Sequence, residues 1–315
     1  MIKSVVSAEL PVDEVLEIKK HRIGKCGKRI CIVTGIHGDE LEGQYVAYEL
    51  SRRLENDPES LSGLVDIYPA MNPFGIDSIT RGIPAFDLDM NRIFPGNDHG
   101  DMNEYIAAQI VKDMMGADLC IDIHASNIFL TEVPQIRINE LHKKRLVPIA
   151  EKANVDFIWV HGASTVLEST FAYSLNSAGV PTLVVEMGVG MRITKEYGDQ
   201  LTDGILSLMR NMGIWNKDVE GIRKPVISYD EDGRDVCYLN APVSGVFIKD
   251  MCHGSLVSTG DHIGRIVNPL SGELLAEINA PDDGWLFTIR EYPIVEEGSL
   301  MGRILKQEVY DKWKK

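Results

Sequence analysis

Basic residues are scarce in this sequence, and no part of it is compositionally biased. Its 315 residues include 47 Asp and Glu but only 32 Lys and Arg, which gives a formal net charge of −15. Because binding phosphates requires a basic surface, this balance argues against nucleic acid as a partner. A local arginine can still dominate a pocket for a small anion. The composition is otherwise that of a globular protein with a full core.

Cysteines and long apolar runs are also few. The five cysteines are odd in number and widely spaced, with no C-x-x-C pair, so neither a disulfide framework nor a cysteine zinc site is expected. No apolar run approaches about 18 residues, and the segment Met1-Ile2-Lys3-Ser4 does not have the pattern of a signal peptide. We therefore expect a soluble, cytoplasmic protein with no membrane partner.

Through the first two thirds of the chain, short apolar runs alternate with segments of helical periodicity. Residues 29–34 and 119–123 are β-branched and apolar and predict buried strands, which would bury Cys31 and Cys120. Residues 40–54 and 200–212 place apolar side chains at helical spacing. This alternation predicts an α/β fold with a parallel or mixed sheet covered by helices on both faces.

The pattern changes after about residue 222. Helical periodicity fades, and short β-like runs separated by Gly, Pro and Asp take over. Two pairs of runs are weakly similar to each other: 241–247 with 280–287, and 260–266 with 298–304. Such internal similarity predicts a small all-β domain of two related halves. We expect a first domain over residues 1–222 and a second over 223–315.

Four short segments contain the candidate catalytic and metal-binding residues. They are Gly35-Ile36-His37-Gly38-Asp39-Glu40, Asp89-Met90-Asn91-Arg92, Asp122-Ile123-His124 and Val185-Glu186-Met187-Gly188. Three of them fall at or just after predicted strands, and ligands bind beyond the carboxyl ends of strands in open α/β sheets. Together the segments supply two histidines, a ligand carboxylate, a spare carboxylate and an arginine. A hydrolytic zinc site requires that set of groups.

The first segment has an ordinary structural explanation when it is taken alone. His37 and Glu40 are three residues apart, so both side chains can reach one ion from a tight turn. A chance H-x-x-E is common, however, and Asp39 could simply cap the following helix.

The other segments have ordinary alternatives as well. Asp122 would share a strand face with His124 and could orient its imidazole, but a lone histidine at a strand end is often structural. Arg92 could bind a carboxylate or form a surface ion pair. Glu186 follows an apolar run, so its charge must be paired, hydrated or functional, and a salt bridge at the strand end remains an alternative.

Taken in this order, the four segments resemble the succinylglutamate desuccinylase/aspartoacylase family of the zinc carboxypeptidase clan. Phe94-Pro95-Gly96 and Gly179-Val180-Pro181 extend the similarity, which runs through most of residues 28–212. The resemblance implies a three-layer α/β/α fold with a mixed central sheet and one zinc ion per chain.

The same resemblance implies a role for each site residue. His37, Glu40 and His124 would hold the zinc, and Glu186 would act as general base and proton shuttle. Asn91 and Arg92 would bind the substrate's carboxylate or carbonyl, Asp89 would lie behind His37, and Arg81 would polarise the scissile carbonyl. His161, at the end of a predicted strand, is a further candidate for the pocket.

The implied activity is hydrolysis of an amide bond in a small N-acylated amino acid or related carboxylate. A metallocarboxypeptidase acting on peptides, and a non-catalytic protein that binds zinc or a carboxylate, remain alternatives. Residues 125–130 do not follow the aspartoacylase pattern, so the acyl group is open. The C-terminal region is similar to a lipoyl/biotinyl half-barrel without its carrier lysine, so no covalent cofactor is expected. A homo-oligomer is also left open.

Overall fold

A large mixed β-sheet forms the centre of the protein. The computed structural model describes residues 1–162 and 168–314. The strands within these ranges are β1 (Ile2–Glu9), β2 (Val15–Gly24), β3 (Arg29–Thr34), β4 (Leu64–Tyr68), β5 (Leu119–His124), β6 (Leu130–Asn139), β7 (Phe157–His161), β8 (Thr182–Gly188), β9 (Val226–Asp230), β10 (Val236–Asn240), β11 (Gly245–Lys249), β12 (Ser255–Val257), β13 (His262–Asn268), β14 (Glu273–Asn279), β15 (Gly284–Arg290), β16 (Ile294–Val295) and β17 (Leu300–Lys306).

Helices cover both faces of this sheet. They are α1 (Glu42–Asn56), α2 (Pro73–Ser78), α3 (Met102–Met114), α4 (Lys143–Ala150), α5 (Phe171–Ser177), α6 (Lys195–Asn211) and α7 (Gln307–Lys314). Side chains from α1 and α6 pack with Ile30 and Ile32 of β3 in one apolar core. Side chains from α3 and α5 pack with Cys31 and Val33, which point to the opposite face. The predicted mixed sheet between two helical layers is therefore confirmed.

The order of the strands explains how the candidate segments meet. Strands β4, β3, β5 and β8 run parallel in that order, and β6 adds antiparallel to β8. The carboxyl ends of β3, β5 and β8 therefore lie side by side. Cys31 and Cys120 are fully buried in two of these strands, as predicted.

The C-terminal region is all β apart from the terminal helix α7, and it contributes to both sheets. Strands β14, β13, β11 and β16 form a separate four-stranded sheet. Strands β15, β17 and β10 extend the large sheet, because β15 pairs antiparallel with β6 and places Thr288 opposite Glu132. An all-β C-terminal region is thus confirmed, whereas the domain boundary near residue 222 stays a prediction.

One alternative is excluded by the structure, and two elements were not predicted. Helix α1 begins after Leu41 with no side-chain cap, so Asp39 does not cap it. Strand β6 and helix α4 were not predicted, because β6 contains Pro134 and several polar residues and α4 contains Pro148. None of the helices in the described ranges is both long enough and apolar enough to cross a membrane.

Candidate metal centre and its cleft

His37, Glu40 and His124 converge at the carboxyl ends of β3 and β5. His37 Nδ1 lies 2.8 Å from one carboxylate oxygen of Glu40, and His124 Nδ1 lies 2.9 Å from the other. The two Nδ1 atoms are 3.2 Å apart. All three side chains are buried, and their potential ligand atoms lie within 4.8 Å of one another. The structure thus brings together the three residues predicted as metal ligands.

The arrangement of these atoms fits a zinc ion. Ligands at about 2.0–2.1 Å from a tetrahedral zinc are about 3.3 Å from each other, close to the separations found here. Asp89 Oδ1 lies 3.2 Å from His37 Nε2, and Asp122 Oδ2 lies 3.1 Å from His124 Nε2. Such carboxylates fix the ring orientation and leave Nδ1 for the metal, as is usual behind metal-binding histidines.

The environment keeps Glu40 ionised despite its burial. Burial alone would raise the pKa of this carboxyl group. The charge and hydrogen bonds of His124 and His37 outweigh burial and hold the pKa well below its usual range. The amide of Ala125 also donates to Glu40 Oε2 over 3.1 Å. A carboxylate that stays charged in a buried position is suited to bind a cation.

Arg81 and Arg92 lie beside this centre, where both were expected. Arg81 Nη1 donates to Glu40 Oε1 over 3.1 Å, and its Nε donates to Asp89 Oδ2 over 3.3 Å. Arg92 Nη2 is 3.9 Å from Asp89 Oδ2, and about two fifths of the Arg92 side chain is exposed. Both arginines line the cleft in front of the metal-ligand group, so both can contact a bound molecule.

Asn91 forms a hydrogen bond to α5 and also lines the cleft. Its side-chain Oδ1 accepts a hydrogen bond of 2.8 Å from the amide of Phe171, at the start of α5. The residue also lines the cleft. The side-chain oxygen of Asn91 therefore joins the loop to α5. The side-chain Nδ2 group remains able to donate a hydrogen bond to a ligand.

Glu186 occupies the neighbouring strand at the level of His124. The two residues are register partners in the parallel pair of β5 and β8. Burial raises the pKa of Glu186 to about 7, against the opposing charges of Arg137 and His124. A carboxylate whose pKa lies near neutrality can both accept and release a proton at neutral pH.

The cleft that contains these groups has a volume of about 350 Å³. The predicted residues that line it are His37, Glu40, Arg81, Asn91, Arg92, Asp122, His124, His161 and Glu186. Asp89 contacts His37 from behind. Lining residues that sequence reasoning missed include Arg137, Asn139, His142, Tyr173, Asn176 and Arg303. The alternation Gln135-Ile136-Arg137-Ile138-Asn139 is a strand signal that could have placed Arg137 and Asn139 on one face.

Gly38 is required by the close approach of two backbone segments. A Cβ added at this position would lie 1.9 Å from the carbonyl carbon of Gly75, which is backbone and cannot rotate away. The Gly38 amide also donates to the carbonyl of Arg81 over 3.2 Å. The absence of a side chain therefore allows the loop of His37 and Glu40 to pack closely against the segment from Gly75 to Arg81.

We expect Gly38→Ala to displace His37 and Glu40 and to destabilise the protein by about 1–3 kcal/mol, the usual cost of overpacking. Urea unfolding measures the stability, and atomic absorption measures bound zinc after dialysis against trace metal. Both values should fall together. Wild-type stability with full metal content would show that the two loops can separate without harm.

The class of protein that these features define is a mixed α/β protein with a buried His–Glu–His group, able to hold a metal ion, at the ends of two parallel strands. The model of the succinylglutamate desuccinylase/aspartoacylase catalytic domain matches residues 26–212. The chain belongs to the succinylglutamate desuccinylase/aspartoacylase family.

Known relatives share both sequence and fold. The chain is 25% identical over 272 residues to the N-alpha-acetyl-L-2,4-diaminobutyric acid deacetylase of Halomonas elongata, covering 85% of this chain and 78% of that protein. A succinylglutamate desuccinylase/aspartoacylase structure from Rhodobacter sphaeroides superposes with a TM-score of 0.80 at 25% identity, over 97% of this chain and 95% of that chain. The product-bound ectoine utilization protein of Ruegeria pomeroyi has a TM-score of 0.81 at 19% identity, over 96% and 93%, which shows the common fold.

Proposed function

We propose that this protein is a zinc-dependent hydrolase that cleaves the amide bond of small N-acylated amino acids. The observation that carries the proposal is the buried group of His37, Glu40 and His124, with Glu186 on the next strand of the same cleft. Membership of a family that includes deacylases supports it, as does the similarity to a diaminobutyric acid deacetylase.

Each residue has a distinct task in this reaction. When bound, zinc lowers the pKa of water and polarises the scissile carbonyl. Glu186 accepts a proton from the attacking water at its carboxylate and then gives that proton to the leaving amine. Arg81 lies beside Glu40 and offsets the negative charge that develops on the carbonyl oxygen.

Arg92 and Asn91 hold the substrate. The guanidinium of Arg92 pairs with the substrate's carboxylate, and Asn91 Nδ2 adds a hydrogen bond, which fixes the amide in front of the metal. We also propose that residues 223–315 form a domain that narrows access to the cleft. The presence of Arg303, from β17, among the lining residues supports this role.

Metal analysis and a substrate panel test the proposal. We expect about one zinc ion per purified chain and release of amine from N-acetyl, N-succinyl or related N-acyl amino acids. Peptides with a free carboxyl terminus belong in the same panel, since faster cleavage of peptides would identify a metallocarboxypeptidase. Zinc-loaded protein that is inert on all of these amides and on esters would instead identify a binding protein.

Arg92→Met is expected to raise KM for N-acyl amino acids by roughly 10–100-fold, because hydrogen bonds to charged groups contribute about 1.5–3 kcal/mol. The change in kcat should be smaller. The same substitution should raise KM much less for an analogue in which a carboxamide replaces the carboxylate, since that analogue has no charge to pair with Arg92. Steady-state kinetics on both substrates measure the difference.

Arg210→Met is the matched control for this experiment. Arg210 lies in α6, outside the cleft lining, and is about as exposed as Arg92, with a carboxylate partner in Asp218. Its removal should leave KM unchanged. An equal effect of Arg92→Met on the carboxylate and the carboxamide would contradict the assignment of Arg92.

A further inference from the structure

Glu186 is adjacent to a buried ionic cluster that no sequence motif indicates. Arg137 of β6 donates to Glu132 Oε2 over 2.7 Å with its Nη2. Its other terminal nitrogen, Nη1, is 3.5 Å from Glu186 Oε1. Arg303 of β17 pairs with the second oxygen of Glu132. One guanidinium group therefore lies between a structural carboxylate and Glu186.

The charges of this cluster do not balance without Glu186. Glu132 is completely buried and supplies one negative charge, whereas Arg137 and Arg303 supply two positive charges. Arg137 is partly buried at the cleft wall, where an unpaired charge is costly, so a second carboxylate beside it stabilises the cluster. Arg137 is the member of the cluster that points a nitrogen at Glu186. The second positive charge of the cluster therefore lies next to the carboxylate of Glu186.

Surrounding contacts fix Arg137 in place. The ring of Trp159 lies against both guanidinium groups, with the guanidinium carbons of Arg137 and Arg303 at 5.9 and 5.7 Å from the ring centre. The hydroxyl of Thr288 donates to Glu132 Oε1 over 2.8 Å. Glu132 therefore accepts bonds from β6, β15 and β17 together. Thr288 and Arg303 both contact Oε1, so the C-terminal strands fix the carboxylate whose other oxygen, Oε2, pairs with Arg137.

The contact with Glu186 is close but is not a short hydrogen bond. At 3.5 Å, Arg137 Nη1 stabilises the negative charge and restrains the side chain, while the bond of Nη2 to Glu132 prevents a closer, bidentate approach. The oxygens of Glu186 therefore remain available to accept a proton from water.

We infer that Arg137 is a positioning residue for Glu186, and that the C-terminal strands hold it in place through Arg303, Thr288 and Glu132. This inference rests on the proposed role of Glu186 as general base. Arg137 itself neither binds the metal nor transfers the proton in this assignment. It holds the charged Glu186 carboxylate at the level of His124, where the water is activated.

Arg137→Met tests this inference. We expect kcat to fall by about 10–100-fold, because small displacements of a reacting group can cost that much. KM should change by less than about threefold, since the substrate's carboxylate is bound by Arg92. Arg137→Lys keeps the charge but cannot contact both carboxylates at once, so we expect a loss in kcat of about 3–10-fold. Zinc content should stay near one per chain in both variants.

Arg22→Met is a closely matched control. Arg22 is as exposed as Arg137, and its partner Asp66 is as completely buried as Glu132 and also shared with other cations. It lies on β2, four strands from β8, and does not line the cleft. We expect a comparable loss of thermal stability with unchanged kcat. A kcat loss in Arg22→Met as large as in Arg137→Met would mean that general destabilisation, and not positioning, explains the effect.

A double-mutant cycle separates this inference from the proposed function. In the Glu186→Gln background, Arg137→Met should cause no further loss of kcat, because the group that it positions is gone. Full activity of Glu186→Gln would refute the proposed function itself. An inactive Glu186→Gln with wild-type kcat in Arg137→Lys and Arg137→Met would overturn only the positioning role, as would losses that add fully in the double mutant. If the methionine variant does not fold, the lysine variant and its cycle with Glu186→Gln decide the question.

Discussion

Glu186→Gln is expected to lower kcat by about 10²–10⁴-fold, the usual contribution of general acid–base catalysis. Glutamine has nearly the same shape but cannot accept the proton of the attacking water. Because Glu186 is not among the three ligand residues, the variant should keep about one zinc ion per chain. Stopped assays on the best N-acyl substrate, together with metal analysis of the same sample, measure both quantities.

Glu291→Gln controls for the loss of a half-buried, paired carboxylate. The Glu291 side chain is 21% exposed and pairs with Arg192, whereas that of Glu186 is 15% exposed and lies beside Arg137. Glu291 is not among the lining residues of the cleft. The control should retain wild-type kcat. Unimpaired hydrolysis by Glu186→Gln would remove Glu186 from the mechanism and leave the cleft without an assigned base.

His124→Ala is expected to abolish both zinc binding and activity. The substitution removes one of three ligands, and the Glu40 carboxylate loses the partner that most strongly keeps it charged. Activity should fall to the background of the assay, and added zinc should not restore it. Metal analysis after dialysis and activity assays with added zinc check both results.

Thermal unfolding with and without a chelator gives a second readout. A ligand that binds only the folded state stabilises it, so the chelator should lower the Tm of the wild type and have no effect on the Tm of His124→Ala. His99→Ala serves as control, because His99 is exposed and outside the cleft lining. Retention of zinc by His124→Ala would mean that the metal is bound elsewhere.

The sequence allowed the metal-ligand group to be predicted because its members are close in sequence to strand ends. His37 and Glu40 are three residues apart, and His124 ends a clear apolar run. The parallel order of β3, β5 and β8 then brings them to one edge. The motifs and strand signals placed these residues at strand ends, and the resemblance of the ordered segments to a known family supplied their roles as ligands.

The cluster around Arg137 could not be predicted in this way. Glu132 and Arg303 are 171 positions apart, and they meet only because β6 lies beside β15 and β15 beside β17. Strand β6 has a mixed polar pattern and contains Pro134, so its position in the sheet has no local signal. No single segment of the sequence predicts such contacts, because they depend on the order in which strands from two regions join one sheet.

The pairing of β6 with β15 also determines how the chain can be divided. A fragment that ends near residue 222 would lose β15 and leave the backbone groups of Leu130–Glu132 without their partners. Such an open edge invites pairing with other chains. Glu132 would also lose Thr288 and Arg303 and become accessible to water. Residues 1–222 and 223–315 are therefore unsuited to separate expression. They are equally unsuited to exchange between relatives at that boundary.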